Sequence, residues 1–126
     1  MVGTDADYFR ALETPRMAVL SPNLVVAAFP LMKLMPARYI LDRAAADGAL
    51  QTGVRIVETT SGTFGMALAL LAAARGYRLT LVTASSLIDA KYRARLEGLG
   101  ATMIITEDPD GNGDQLRRLQ RLEGIR

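Results

Sequence analysis

Glu58-Thr59-Thr60-Ser61-Gly62-Thr63-Phe64-Gly65 is the stretch on which the fold of this chain turns. Just before it, Val54-Arg55-Ile56-Val57 is a short β-branched run, which predicts a strand over residues 54–58. Just after it, residues 63–75 are apolar on nearly every side and stop at Gly76, which predicts a buried helix closed by glycine. A strand handed through a short polar turn into a buried helix is the building unit of a parallel α/β sheet.

The same alternation continues in both directions. Leu79-Thr80-Leu81-Val82 predicts a further strand. Ile88, Tyr92, Arg95, Leu96 and Leu99 then mark one side of a helix that Gly98 and Gly100 bring to an end. Thr102-Met103-Ile104-Ile105 predicts another strand, and Leu116, Leu119 and Leu122 a last amphipathic helix. Upstream, Leu24 to Phe29 is an apolar run ended by Pro30, read as the first strand. Leu34, Ala37, Leu41 and Ala44 follow at helical spacing as far as Asp47-Gly48, with Pro36 tolerated in the first turn. The expected architecture is α/β: a three-layer αβα arrangement with a four-stranded, mostly parallel sheet in βαβαβαβα order. Residues 1–22 form an N-terminal arm, interrupted by Pro15 and Pro22, and residues 23–126 a single domain.

Composition narrows the chemistry. Hydrophobic residues make up 50% of the 126, enough for a real core. With no cysteine and no histidine, disulfides, thiolate nucleophiles, Ser-His-Asp triads and Cys/His metal sites are excluded. Acid–base work falls to Lys, Asp, Glu, Tyr or a cofactor. The net charge is +2 and the arginines are scattered apart from Arg117, Arg118 and Arg121, so a nucleic-acid partner is not expected. The most apolar run, residues 64–74, is too short to span a bilayer, and no basic stretch leads into an apolar one at the N-terminus. No membrane association and a cytoplasmic location are expected by default.

The polar turn is the candidate site. Thr60 and Ser61 bring hydroxyls, Gly62 allows close approach of a ligand, and the first N–H groups of a helix carry the positive end of its dipole. Two readings are open on this ground alone. One is a cradle for a carboxylate or phosphate; the other is a plain capped turn with Ser61 as N-cap. Gly111-Asn112-Gly113 reads as a turn rather than a phosphate loop. A nucleotide-binding reading lacks the first glycine of G-x-G-x-x-G.

Thr60-Ser61-Gly62-Thr63-Phe64-Gly65 resembles the T-S-G-N-T-G motif that fold type II pyridoxal-phosphate enzymes of the cysteine synthase and tryptophan synthase β-chain kind carry between a strand and a buried helix. Ala72-Ala73-Ala74-Arg75-Gly76-Tyr77-Arg78, Leu96-Glu97-Gly98-Leu99-Gly100-Ala101, the Asp47-Gly48 helix end and Thr14-Pro15 are similar as well. The likeness runs from about Thr14 to Thr106.

The resemblance implies that pyridoxal 5'-phosphate is the cofactor and that Lys33, after Phe29-Pro30-Leu31-Met32, is its Schiff-base lysine, in a mostly apolar pocket. It implies that Thr60, Ser61, Gly62 and Thr63 hold the carboxylate of a small amino-acid substrate. Thr63 also stands where the family has an asparagine that contacts the cofactor ring hydroxyl. The implied activity is β-elimination or β-replacement on a serine-derived amino acid by a lyase or transferase. The pattern departs at Phe64 and in the residues flanking Lys33, which lack the family's Gly-Ser before the lysine and Asp-Arg after it. Family enzymes continue into a second domain that carries the phosphate loop, so the chain is expected to be incomplete. It would then pair as a homodimer or associate through the surface that meets that domain. The alternative is a truncated or degenerate module without catalysis that binds a partner chain or a small anion.

Overall fold

The computed structural model of the chain describes residues 11–60, 62–107 and 114–118. Its elements in order are β1 (Arg16–Ser21), β2 (Leu24–Ala28), α1 (Leu34–Ala46), β3 (Arg55–Thr59), α2 (Thr63–Arg75), β4 (Arg78–Ala84), α3 (Ala90–Gly98) and β5 (Thr102–Thr106). A single 3-10 turn, Ser85–Leu87, precedes α3. Residues 11–13 and 114–118 are also helical.

The α/β character holds, and its centre is β4. This strand lies between β3 and β5 and is parallel to both, with Ile56 opposite Leu79 and Leu81 opposite Met103. It is buried from Leu79 to Ala84. Successive side chains of a strand leave opposite faces. Leu79 and Leu81 therefore point together, and they pack into one core with Leu34, Ala37 and Leu41 of α1, Ala67, Leu68 and Leu71 of α2, and Leu96 of α3.

Helix α2 is apolar all round because it is enclosed all round: seven of its residues, from Gly65 to Ala72, are buried. Its end is set by Gly76, whose φ of +74° is the left-handed conformation that glycine adopts without a Cβ penalty. Helix α1 ends as expected at Asp47, whose N–H reaches back to the Arg43 carbonyl.

The expected four-stranded sheet is corrected to three strands. The run read as the first strand, now β2, does not join the sheet. It pairs antiparallel with β1 in a separate hairpin, Val19 opposite Val25 and Ser21 opposite Leu24. Pro22 and Asn23 form the two-residue turn. The order is thus ββαβαβαβ through β5, and the hairpin straddles the expected boundary at residue 22.

The physical reason is that a short apolar run reads alike in a buried parallel strand and in a hairpin arm. Here both arms are exposed along their whole length. The telling signal was the Pro-Asn pair between two apolar runs of similar length.

The last predicted helix is seen only over residues 114–118; its remainder, the Gly111–Gly113 turn and the possible Asp5 cap lie outside the described residues. No described helix is long and apolar enough to cross a membrane.

Candidate functional site

The site grows from the way β3 ends. The Thr60 N–H still donates to the Val82 carbonyl of β4, at 2.9 Å, so Thr60 is held at the sheet edge as the chain leaves it. Its side chain is turned inward and is buried. The Thr60 hydroxyl accepts from the Gly65 N–H at 3.0 Å and from the Gly62 N–H at 3.4 Å, and it lies 3.3 Å from the Gly62 carbonyl as a donor. Thr60 is therefore the internal brace of the turn. Thr60 also lines the cleft beside this turn, so the same residue that holds the turn together stands at the expected carboxylate site.

Gly65 makes this brace possible. A Cβ at Gly65 would lie 2.6 Å from the Thr60 Oγ1 and 2.8 Å from its Cγ2, closer than real Cβ contacts come. The glycine is needed for close approach, not for an unusual φ.

Gly62 is the N-cap residue of α2 and has no side chain to cap it; the Thr60 hydroxyl takes that part for the Gly65 N–H. Ser61, expected as N-cap and as a site residue, lies outside the described residues. The first N–H groups of a helix have no partner within it. Gly62 and Gly65 have theirs satisfied inside the turn, the Gly65 N–H also reaching the Gly62 carbonyl at 3.2 Å. The N–H groups of Thr63 and Phe64, for which no partner is seen among the described residues, stand at the positive end of the helix dipole, where an anion is favoured.

Across from them stands Lys33, the residue that leads into α1. Lys33, Thr59, Thr60, Gly62, Thr63 and Phe64 line one open cleft of about 330 Å³. The fold thus brings together four of the five residues singled out from sequence, from segments nearly thirty positions apart. The expected mostly apolar setting of the lysine is corrected: Lys33 is exposed, and Phe64 is the one apolar residue in the cleft wall. The apolar helix that follows suggested a dry pocket, but its apolar residues turn toward the core and not toward the cleft.

Three contributors were not found by sequence reading. Thr59 lines the cleft, and its N–H donates to the Glu58 carboxylate at 2.8 Å. Phe64 was noted only as a departure from a motif. Tyr92 of α3 donates its hydroxyl to the Gly62 carbonyl at 2.7 Å. Burial pushes its phenol above the ordinary value of 10.0, while a hydrogen bond with the Met66 backbone pulls the other way. Helical spacing showed that Tyr92 faces inward, but no spacing rule could connect it to a loop thirty residues earlier.

A second groove, of about 560 Å³, runs along Leu12, Leu31, Met66, Leu70, Arg95, Gly98 and Leu99. It has one charged residue and no hydroxyl, so it lacks the convergent polar groups of the first. Among the described residues there is no cluster able to hold a metal ion.

A lysine on one cleft with the N-terminus of a buried helix, at the carboxyl end of a parallel strand, defines an α/β domain of the kind that binds small ligands at its strand ends. The chain belongs to the pyridoxal-phosphate dependent enzyme family, whose model matches residues 32–125. Cysteine synthase A of Escherichia coli (strain K12) is 41% identical over 75 residues, which are 60% of this chain and 23% of that protein. Cysteine synthase of Haemophilus influenzae is 44% identical over 69 residues, 55% of this chain and 22% of that one. Among solved structures, O-ureido-L-serine synthase superposes with a TM-score of 0.75 at 27% identity, covering 98% of this chain and 42% of its own. The chain thus spans less than half the length of the relatives it matches.

The residues present fit the carbonyl end of the family's cofactor. Lys33 offers an amine, Thr63 a hydroxyl, and α2 its N-terminal donors, all on one cleft. A glycine-rich cradle for the phosphate and a partner for the ring nitrogen are not found among the described residues.

Proposed function

We propose that this chain forms the lysine-bearing part of a pyridoxal-phosphate lyase or transferase that acts by β-elimination or β-replacement on a small, serine-derived amino acid. The observation that carries the proposal is the sharing of one cleft by Lys33 and the first turn of α2. The similarity to cysteine synthases and to O-ureido-L-serine synthase supports the substrate class.

When bound, the cofactor supplies an electron sink that makes the substrate's α-proton acidic. Lys33 Nζ would hold the cofactor and would be the base for that α-proton. The Thr63 and Phe64 N–H groups and the α2 dipole hold the substrate carboxylate, with Gly62 beside them; the family resemblance gives Ser61 the same task. The Thr63 hydroxyl, on the same cleft, would serve the cofactor ring hydroxyl. Thr60 acts from behind, keeping the turn in shape. The half-buried Phe64 walls off one side of the cleft.

The test is covalent mapping. The protein is incubated with pyridoxal phosphate, reduced with borohydride and digested for mass spectrometry. Only two lysines compete, Lys33 and Lys91. The expected label is on Lys33, with loss of both label and visible absorbance in Lys33→Ala. Equal labelling of Lys91, or an unchanged spectrum in Lys33→Ala, ends the assignment.

A second reading, a non-catalytic module that associates with a partner chain or a second copy, is favoured by one observation. The hairpin exposes Met17, Val19 and Val25 side by side, with Val19 74% exposed. Contiguous apolar surface of this kind promotes association. A stable monomer in sedimentation would count against it.

A further inference from the structure

We infer that Tyr92 is a positioning residue of this cleft, and that its hydroxyl aims the Thr63 N–H at the carboxylate of the substrate. The inference rests on the carboxylate site proposed above.

Gly62 has no side chain, and a Cβ placed on it would meet nothing within 4 Å. No side-chain packing can orient this residue, so the hydrogen bonds of its backbone carry that task. Three donors converge on its carbonyl: the Tyr92 hydroxyl at 2.7 Å, the Gly65 N–H at 3.2 Å and the Thr60 hydroxyl at 3.3 Å. The tyrosine bond is the shortest of these three and alone among them comes from another element, beside the first bond of α2 that an N-cap carbonyl accepts.

The Gly62 carbonyl and the Thr63 N–H belong to one planar peptide unit. No described peptide bond is cis, so in this unit the two groups point in opposite directions. Holding the carbonyl toward α3 turns the N–H away from α3, and both residues of this peptide unit line the cleft.

Tyr92 is itself firmly held. Its N–H donates to the Asp89 carboxylate at 2.7 Å, which fixes the first turn of α3, and its ring packs on the hydrophobic core. Because burial raises its pKa, the phenol keeps its proton and remains a donor under physiological conditions.

The test uses the full chain, labelled with nitrogen-15, as wild type and as Tyr92→Phe, which removes one oxygen and keeps the ring. The residual dipolar coupling of the Thr63 N–H is measured without ligand, and sodium acetate is then titrated as the carboxylate probe. In Tyr92→Phe the Thr63 coupling is expected to change while the couplings of β4 stay constant. Acetate should bind about five- to tenfold more weakly, as the loss of one well-formed hydrogen bond predicts. An unchanged Thr63 coupling overturns the inference. So does a Tyr92→Phe protein that fails to fold, because a group that only aims one N–H is not required for folding. Absence of acetate binding in the wild type would instead remove the carboxylate site, while the coupling would still decide whether Tyr92 orients the peptide.

Discussion

The Thr60 hydroxyl accepts a hydrogen bond from Gly65 at 3.0 Å, and the same oxygen would lie 2.6 Å from any Cβ placed there. One contact thus both braces the turn and forbids a side chain. Gly65→Ala is expected to lower stability by about 1–3 kcal/mol, the usual cost of forcing atoms into a packed site. Thr60→Ala removes the crowding oxygen and methyl but takes the hydroxyl acceptor from two N–H groups, of which Gly65 keeps the Gly62 carbonyl. The double variant should be less damaged than the sum of the two singles. Urea unfolding of all four proteins checks this, and strict additivity would show that the contact is not the source.

At Lys33 the prediction separates charge from nucleophilicity. Arginine keeps a positive charge in the cleft, but its guanidinium is not deprotonated under ordinary conditions and does not form imines. Lys33→Arg should hold acetate within about twofold of wild type, since at an exposed position charge is a modest term. Labelling by pyridoxal phosphate at position 33 should be lost altogether. Retained labelling there, or loss of acetate binding alone, would separate the lysine from the role proposed for it.

Much of this arrangement was legible from sequence, and the limit has a physical origin. Strands β3, β4 and β5 and helices α1, α2 and α3 follow from periodicity and glycine punctuation, because those signals are local. The turn at Thr60–Gly65 was legible for the same reason, and the family likeness added Lys33. The bonds of the Thr60 hydroxyl to Gly62 and Gly65 were not legible, since sequence does not show which way a side chain turns. The hairpin was misread because Leu24 to Ala28 is as apolar as a buried strand although it is exposed. Tyr92 was invisible as a site residue, since its bond to Gly62 exists only once α3 has packed beside α2.

The raised pKa of Tyr92 carries a consequence for stability. A group whose folded pKa exceeds its unfolded value stabilises fully below the unfolded value and loses that contribution as pH rises through the folded one. The unfolded value is near 10.0. Wild type should therefore exceed Tyr92→Phe in stability at neutral pH, by about 1 kcal/mol for one hydrogen bond. The gap should narrow as pH climbs above 10.0, because the phenolate can no longer donate to the Gly62 carbonyl. Melting of both proteins across this range tests it, with the other titrating groups common to the pair. A gap that stays constant in alkali would mean that the hydroxyl is not the origin of the difference.

The hairpin supplies the last prediction. Val19 and Val25 are directly opposed across β1 and β2 and are 74% and 54% exposed. A two-stranded hairpin with an apolar face has little stability of its own in water, and such a face promotes contact with other surfaces. Replacing the pair by Val19→Glu and Val25→Lys puts opposite charges across the strands, which favours pairing by about 0.2–1 kcal/mol while removing the apolar patch. The core around β4 is untouched, because neither valine belongs to it. The expected result is an unchanged helical circular-dichroism signal together with loss of concentration-dependent association in sedimentation velocity. If association persists at the same strength, the contact lies elsewhere, and the exposed helix residues Met35, Tyr39 and Ile40 become the next surface to charge.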